Sequence, residues 1–288
     1  MVRSTPVNVE AAYRDCEMLA KTHYENFPVA SLLLPKKIRR PISVIYTFAR
    51  LADDMADEGN EPQESRLAQL QNFWQSLEDL KKGLPPKEGL FIALNDVLKN
   101  NPKLPISLFF DLLHAFKQDV IKNEYQNFLE VLDYCHHSAN PIGRLLLYLT
   151  DKATEDNLKH SDAICTALQL INFLQDLQSD LLLRNRCYLP QDEMAQFNLS
   201  LKDFKAGKNS AAIQEFIGKQ LHRTEAILEE GTLLTQRLTG LFGLEIRLTV
   251  EGGRKIIQLL KKRRNVYARP SLKPWHWPVL LWRACKNG

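Results

Sequence analysis

The 288-residue chain combines 44% hydrophobic with 25% charged residues, a composition that supports a sizeable core in an ordinary soluble protein. The chain has 38 basic and 34 acidic residues, which gives a net charge of +4. This small surplus of positive charge argues against nucleic acid as the main partner. Five widely spaced cysteines without a Cys-x-x-Cys pair fit neither a disulfide framework nor a zinc site, and they favour a reducing, cytoplasmic compartment.

Neither a targeting segment nor a membrane span is evident in the sequence. The N-terminal residues, MVRSTPVNVEAAYRD, lack the apolar stretch of a signal peptide. No run approaches the roughly 18 apolar residues of a spanning helix. We therefore expect a cytoplasmic protein that is soluble or that lies peripherally at the inner face of the membrane.

Apolar residues recur at helical spacing along almost the whole chain, and no segment shows the alternation of a strand. Glycine and proline fall between the helical segments. No repeat or long linker separates two cores, so we predict one all-α domain over residues 1–268 and a tail over 269–288. In chain order, the predicted helices lie near residues 8–26, 36–58, 63–82, 88–99, 105–122, 127–150, 159–183, 208–239 and 243–266.

The first acidic motif lies in FARLADDMADEGN, residues 48–60. Asp53 and Asp57 are four residues apart, so on a helix both carboxylates project from one face, with Arg50 near it and Asp54 about a quarter-turn away. Carboxylates so close repel each other unless a cation binds, and Mg2+ is commonly held by one or two carboxylates together with phosphates. A solvated acidic helix end is the alternative.

The second acidic motif lies in QLINFLQDLQSDLLLRNR, residues 169–186. Asn172, Asp176 and Asp180 follow each other at intervals of four residues on a predicted helix that is otherwise apolar nearly all round. Such an acidic stripe is expected at the wall of a cavity, since buried carboxylates are costly unless paired or bound to metal. A buried ladder of ion pairs with arginine or lysine is the alternative.

The two motifs together indicate a more specific chemistry than either one alone. Acidic faces about 120 residues apart could converge across a helical bundle, where metal sites are commonly built. Oxygen-ligated cations there would clamp a diphosphate and make it a good leaving group. An apolar remainder of the cavity would hold a hydrocarbon and shelter a carbocation from water.

Three segments resemble the squalene and phytoene synthases, which are head-to-head prenyl synthases with an all-α isoprenoid-synthase bundle around a central cavity. The resemblance covers about residues 15–265, and within the family it is strongest to the hydroxysqualene synthase branch of hopanoid biosynthesis, HpnC. The segments are HYENFPVASLLLPKKIRRPISVIYTFARLADDMAD (23–57), YCHHSANPIG (134–143) and QLINFLQDLQSD (169–180), followed by Arg-Cys-Tyr-Leu-Pro at 186–190.

The resemblance also implies roles for individual residues of this sequence. Five side chains match the family's Mg2+ ligands: Asp53, Asp57, Asn172, Asp176 and Asp180. The four aspartates and Tyr134 are the implied catalytic residues. Positions that bind the diphosphate or line the substrate pocket match His23, Phe27, Arg50, Gln169, Arg186 and Tyr188.

The implied reaction is Mg2+-dependent ionisation of presqualene diphosphate, followed by rearrangement and water capture to give hydroxysqualene. Two departures favour this branch. Gln175 stands where phytoene synthases usually carry arginine, and Gly252-Gly253 replaces an aromatic residue, which would reshape the end of the cavity. Two alternatives stay open: condensation of two prenyl diphosphates, as in presqualene diphosphate, squalene or phytoene synthases, and a non-catalytic helical scaffold at the membrane surface.

Three further features have two interpretations each. His136 and His137 could orient the water that captures the cation, but satisfied core histidines are the alternative. Arg144 could bind diphosphate or form a structural ion pair. In the tail, Trp275, Trp277 and Trp282 follow the basic run 261–264, which suits peripheral membrane contact, while packing on the domain is the alternative.

Overall fold

The computed structural model describes residues 8–22, 35–57 and 61–286. Tertiary contacts divide the chain into two compact units. The first unit comprises Met1–Ile121 with Leu145–Ala153, and the second comprises Lys122–Arg144 with Thr154–Gly288. The predicted division into residues 1–268 and 269–288 follows different lines and stays a prediction.

Helix α2 is the centre of the first unit, because it packs against the other four helices described there. Its residues Phe48, Ala52 and Ala56 recur every four positions and are fully buried, and Phe48 contacts the rings of Phe73, Phe91 and Phe109. This aromatic core fixes the rotation of α2 about its axis. The helices are α1 (Val9–Thr22), α2 (Lys36–Asp57), α3 (Gln63–Lys81), α4 (Gly89–Asn100) and α5 (Ser107–Ile121).

The second unit is built on α8, α12 and α14, which pack against one another. Helix α7 begins in this unit and ends in the first. The helices are α6 (Phe128–Ser138), α7 (Asn140–Leu149), α8 (Glu155–Gln175), α9 (Leu177–Leu183), α10 (Gln191–Gln196), α11 (Leu201–Lys205), α12 (Ala211–Gly231), α13 (Leu233–Arg237), α14 (Gly240–Lys262) and α15 (Trp277–Lys286), with a 3-10 turn at Pro274–His276 before α15.

Glycine allows the close approach of these central helices. A Cβ on Gly253 of α14 would lie 3.1 Å from Leu168 Cδ2 and 3.4 Å from Leu228 Cδ2. The space of a side chain at this position is therefore already filled by α8 and α12. The sequence predicts that the glycine pair reshapes the end of a cavity. At Gly253, however, neighbouring side chains leave no open space.

Several predicted helices are interrupted in the structure. The helix predicted over 127–150 is two helices, because Pro141 lacks the N–H that would continue the hydrogen-bond ladder from α6. The helix predicted over 159–183 begins at Glu155 and breaks at Asp176.

The second unit also contains a strand pair that the sequence does not predict. The strands β1 (Glu124–Tyr125) and β2 (Cys187–Pro190) pair in parallel. Segments of two and four residues are too short to show a recognisable alternation. Residues 187–190, which lie between the helices predicted from the sequence, therefore form a strand.

Candidate functional site

The first acidic motif occupies the C-terminal end of α2. Because Ala52 and Ala56 face the core, Asp53 and Asp57 lie about 100° further round the helix, and both are half-buried. Arg66 donates from Nη1 to the carbonyl of Ala56 at 2.9 Å and so caps the last turn. Carboxylates at the negative end of a helix dipole repel it, which makes this end favourable for a cation. The expected shared face is confirmed.

Arg50 lies about one turn before Asp53 and forms ion pairs with Asp53 and Asp54. Its Nη2 is 2.6 Å from Asp54 Oδ1, while its Nη1 is 3.7 Å from Asp53 Oδ2. The closer partner is thus Asp54, which the motif spacing alone places off the acidic face. The guanidinium group of Arg50 could exchange its carboxylate partner for a phosphate. Its role in diphosphate binding stays a prediction.

The second acidic motif spans the break between α8 and α9. Asp176 leaves helical geometry, with φ −95° and ψ 11°, and separates the two helices. The hydrogen-bond spacing nevertheless continues, because the Asp176 N–H donates to Asn172 O at 2.8 Å and the Asp180 N–H donates to Asp176 O at 2.9 Å. The continuous helix predicted over 159–183 is therefore interrupted at Asp176, although the four-residue hydrogen-bond spacing persists across the break.

Burial rises steeply along this motif. Asn172 is exposed, the Asp176 side chain is 26% exposed and the Asp180 side chain only 9%. Burial raises the pKa of Asp180 to about 6, although a hydrogen bond from Arg184 opposes the rise. The three side chains thus pass from solvent into the protein, and the cavity wall expected for this stripe stays a prediction.

Each aspartate of the second motif is paired with an arginine. Arg269 forms an ion pair with Asp176, and Arg184 Nη1 lies 2.9 Å from Asp180 Oδ1. Ion pairs with arginine, the alternative that the sequence leaves open, are therefore present, but the pair at Asp176 is exposed and not part of a buried ladder. Neither arginine is among the site residues predicted from the sequence. A separation of 93 positions hides the first pair from any spacing argument.

An aromatic cluster holds the segment that follows α9. Tyr188 stacks on Phe173 at a centroid distance of 3.7 Å, and Tyr134 contacts both rings. The Tyr188 hydroxyl accepts a hydrogen bond from Arg186 Nη1 at 3.3 Å, and the Arg186 N–H donates to Asp180 O at 2.8 Å. The structure thus brings Tyr134, Arg186 and Tyr188 together beside Asp180, as part of one buried group in the second unit.

Three predicted residues remain: His23, Phe27 and Gln169. His23 and Phe27 lie outside the described residues. Gln169 is half-buried on α8. The first motif belongs to the first unit and the second motif to the second unit, so their convergence stays a prediction.

Arg144 and the two adjacent histidines are explained by local contacts. Arg144 forms a bidentate ion pair with Asp162, through Nε at 2.9 Å and Nη2 at 2.5 Å, which agrees with the structural interpretation. Nδ1 of His137 lies 2.9 Å from the carbonyl of Asp133 one turn earlier, and its ring packs edge-on against His136. These contacts agree with structural roles for Arg144 and His137, whereas His136 is exposed and its role stays a prediction.

The described residues contain neither a cluster of metal-ligating side chains nor a membrane-spanning helix. Within residues 8–22, 35–57 and 61–286, no three histidine, cysteine, aspartate or glutamate side chains gather as a metal site. In the same ranges, no helix combines the length and apolarity needed to cross a bilayer.

Comparison with known proteins reveals similarity over most of the chain. Residues 20–282 match the family model described as squalene/phytoene synthase. The hydroxysqualene synthase of Rhodopseudomonas palustris is 33% identical over 269 residues, which cover 93% of this chain and 90% of its own. That of Sinorhizobium fredii is 31% identical over 251 residues, with coverages of 87% and 84%. The crystal structure of squalene synthase HpnC from Alicyclobacillus acidocaldarius matches with a TM-score of 0.82 and 31% identity, over 92% of this chain and 98% of that chain.

Proposed function

Because the chain belongs to the squalene/phytoene synthase family, we propose that it ionises presqualene diphosphate and captures the rearranged cation with water to give hydroxysqualene. The observation that carries this proposal is identity above 30% to two proteins named hydroxysqualene synthase, over almost the whole of each chain. In this reaction the C–O bond to diphosphate breaks with its electron pair leaving on the phosphate oxygen. Water then adds to the carbocation and loses a proton.

The acidic motifs supply the donor atoms that Mg2+ prefers. Oxygen ligands from carboxylates and an amide suit a hard cation, and a pair of carboxylates in each motif leaves room for phosphate oxygens. When bound, the metal would neutralise the charge that develops on the departing diphosphate. We assign its binding to Asp53 and Asp57 on α2 and to Asn172, Asp176 and Asp180 around the α8–α9 break.

The residues around these motifs would orient the substrate. Arg50 and Arg186 present guanidinium groups that can donate two hydrogen bonds to one phosphate, and His23 would add a further donor. Arg186 is well placed for this role, because Tyr188 fixes its side chain and Asp180 fixes its backbone. We assign Tyr134, Phe27 and Gln169 to the wall of the hydrocarbon pocket, where the tyrosine ring would stabilise the passing carbocation.

Incubation of the purified chain with presqualene diphosphate and Mg2+, followed by extraction of the products, tests this function. We expect hydroxysqualene without added NADPH, and loss of product in Asp176→Asn but not in Asp156→Asn. Asp156 is an exposed aspartate of the same unit that pairs with Arg237. Unchanged substrate, or squalene formed only with NADPH, would refute the proposal. Product from farnesyl or geranylgeranyl diphosphate alone would favour the condensing alternative.

We further propose that the C-terminal region makes peripheral contact with an anionic membrane surface, from which the hydrocarbon substrate would enter. Helix α15 buries Leu280 and Ala284 but leaves Trp277 and Trp282 at least half exposed. Residues 252–288 contain ten of the 38 basic residues and none of the 34 acidic ones. Exposed indole rings beside a purely cationic segment suit the interface of an anionic bilayer.

Co-sedimentation with vesicles of phosphatidylcholine, with and without phosphatidylglycerol, tests this contact. We expect binding only to the anionic vesicles, weakened by salt and by Trp277→Ser or Trp282→Ser. Leu129→Ser is the control, because Leu129 on α6 is an apolar residue outside the C-terminal region and is more exposed than either tryptophan. Equal binding to both kinds of vesicle, no binding to either, or equal loss in the control would contradict the proposal.

A further inference from the structure

Arginine side chains occupy both carboxylates of the second acidic motif. Arg269 faces Asp176 with two nitrogens, its Nε against Oδ1 and its Nη2 at 3.4 Å from Oδ2. Arg184 donates from Nη1 to Asp180 Oδ1 at 2.9 Å. If these aspartates bind Mg2+, as the proposed function requires, arginine and metal need the same oxygen atoms.

The backbone around Arg269 is anchored to the end of α8. Nη1 of Arg263 donates both to Leu174 O at 2.9 Å and to Ala268 O at 3.0 Å, and so links the segment before Arg269 to the last turn of α8. The Nε and Nη2 atoms of Arg263 are buried and make no hydrogen bond within the described chain. Burial lowers the pKa of Arg263 to about 10. Burial of the Arg263 guanidinium with two unpaired nitrogens destabilises the folded state, so this arginine is more than a surface contact.

A second anchor lies on the other side of Arg269. Nε2 of Gln175 donates to Pro270 O at 2.7 Å. Gln175 directly precedes Asp176 and stands where phytoene synthases usually carry arginine. The backbone on both sides of Arg269 is thus tied to the residues before Asp176, which makes the Arg269–Asp176 pair a property of the fold.

The exposure of the partners suits exchange. The carboxylates of Asp176 and Asp180 are 26% and 9% exposed, whereas Arg269 and Arg184 are 54% and 46% exposed. Each long guanidinium side chain can therefore move into solvent or onto an arriving anion, while the carboxylate stays in place. A buried carboxylate that loses its arginine needs another cation at once.

We propose that Arg184 and Arg269 are exchange residues, which hold Asp180 and Asp176 until diphosphate draws them away and a divalent cation takes their place. The arginines oppose binding of metal alone, and they favour diphosphate because a guanidinium binds phosphate in a bidentate manner. Metal and diphosphate therefore strengthen each other's binding by the same factor, as linkage requires. This inference rests on the proposed function and adds two residues to its site.

Binding of Mn2+ alone tests the competition without any substrate. The full-length chain is treated with EDTA and dialysed, and the fraction of bound Mn2+ is read from the paramagnetic resonance signal of the free ion. We expect Arg269→Gln and Arg184→Gln each to bind Mn2+ about tenfold more tightly than the unchanged chain, because one competitor is gone. Arg237→Gln is the matched control, since Arg237 pairs with exposed Asp156 in the same unit and should leave the affinity unchanged. Unchanged or weaker Mn2+ binding in both exchange variants, with folding confirmed by circular dichroism, would overturn the inference.

Thermal unfolding with Mg2+, with pyrophosphate and with both tests the coupling. We expect the two ligands together to raise the melting temperature by more than the sum of their separate effects, and this excess to shrink in Arg269→Gln. Purely additive shifts in the unchanged chain would overturn the exchange while leaving the proposed function intact. No shift with any combination would instead count against the proposed function itself, so the two failures are distinguishable.

Discussion

Replacement of Asp180 by asparagine should stabilise the protein while abolishing its activity. Burial raises the pKa of Asp180 to about 6 from an ordinary 3.8, so the folded protein holds the proton more tightly than the unfolded chain does. Stability from this group is therefore complete below pH 3.8 and falls as the pH rises to about 6. At about 1.4 kcal/mol per pKa unit, the ionised carboxylate costs the folded state about 3 kcal/mol at pH 8. Asparagine has the same shape and no charge, so it avoids this cost.

Urea denaturation in EDTA, followed by tryptophan fluorescence at a series of pH values, measures the effect. We expect the free energy of unfolding of Asp180→Asn to exceed that of the unchanged chain by up to about 3 kcal/mol at pH 8, with no excess below pH 4. With Mg2+ and pyrophosphate present the order should reverse, because only the carboxylate binds metal. A variant that is less stable than the unchanged chain at pH 8 in EDTA would refute the reasoning.

Two further predictions concern packing and positioning. Gly253→Ala should lower the free energy of unfolding by about 1–3 kcal/mol, because its Cβ would lie 3.1 Å from Leu168, whereas Gly218→Ala, with no heavy atom within 4 Å, should raise it by about 0.5–1 kcal/mol. Urea denaturation of both variants checks this, and equal effects would contradict the packing argument. Tyr188→Phe should keep the stacked ring but lose the acceptor for Arg186, so we expect a lower kcat with an unchanged melting temperature. An unaltered kcat would contradict a role of the Tyr188 hydroxyl in positioning Arg186.

Local spacing explains how much of the site could be predicted. Asp53 and Asp57 share a face because a helix returns to nearly the same direction after four residues, and Ala52 and Ala56 fix which face is buried. The all-α isoprenoid-synthase fold follows from helical periodicity and the family motifs, and the comparisons confirm it. The residue types and their spacing along the chain are sufficient for these conclusions.

What the sequence missed depends on tertiary contact. The pair between Arg269 and Asp176 joins positions 93 residues apart, and nothing in either segment indicates the other. The break at Asp176 has no glycine or proline to mark it, so periodicity alone predicts a continuous helix. The tail predicted from composition contains both the exposed tryptophans and Arg269. In the structure these residues have different environments, because Arg269 pairs with Asp176 whereas the tryptophans face solvent.

The most direct test of the account is a crystal of the full-length chain soaked with Mn2+ and pyrophosphate, with anomalous scattering used to locate the metal. We predict manganese bound at Asp53 and Asp57 and also at Asp176 and Asp180, with Arg269 moved from Asp176 onto the phosphate. Metal absent from either motif, or Arg269 still paired with Asp176 when metal and pyrophosphate are bound, would contradict the claim that both acidic motifs bind metal.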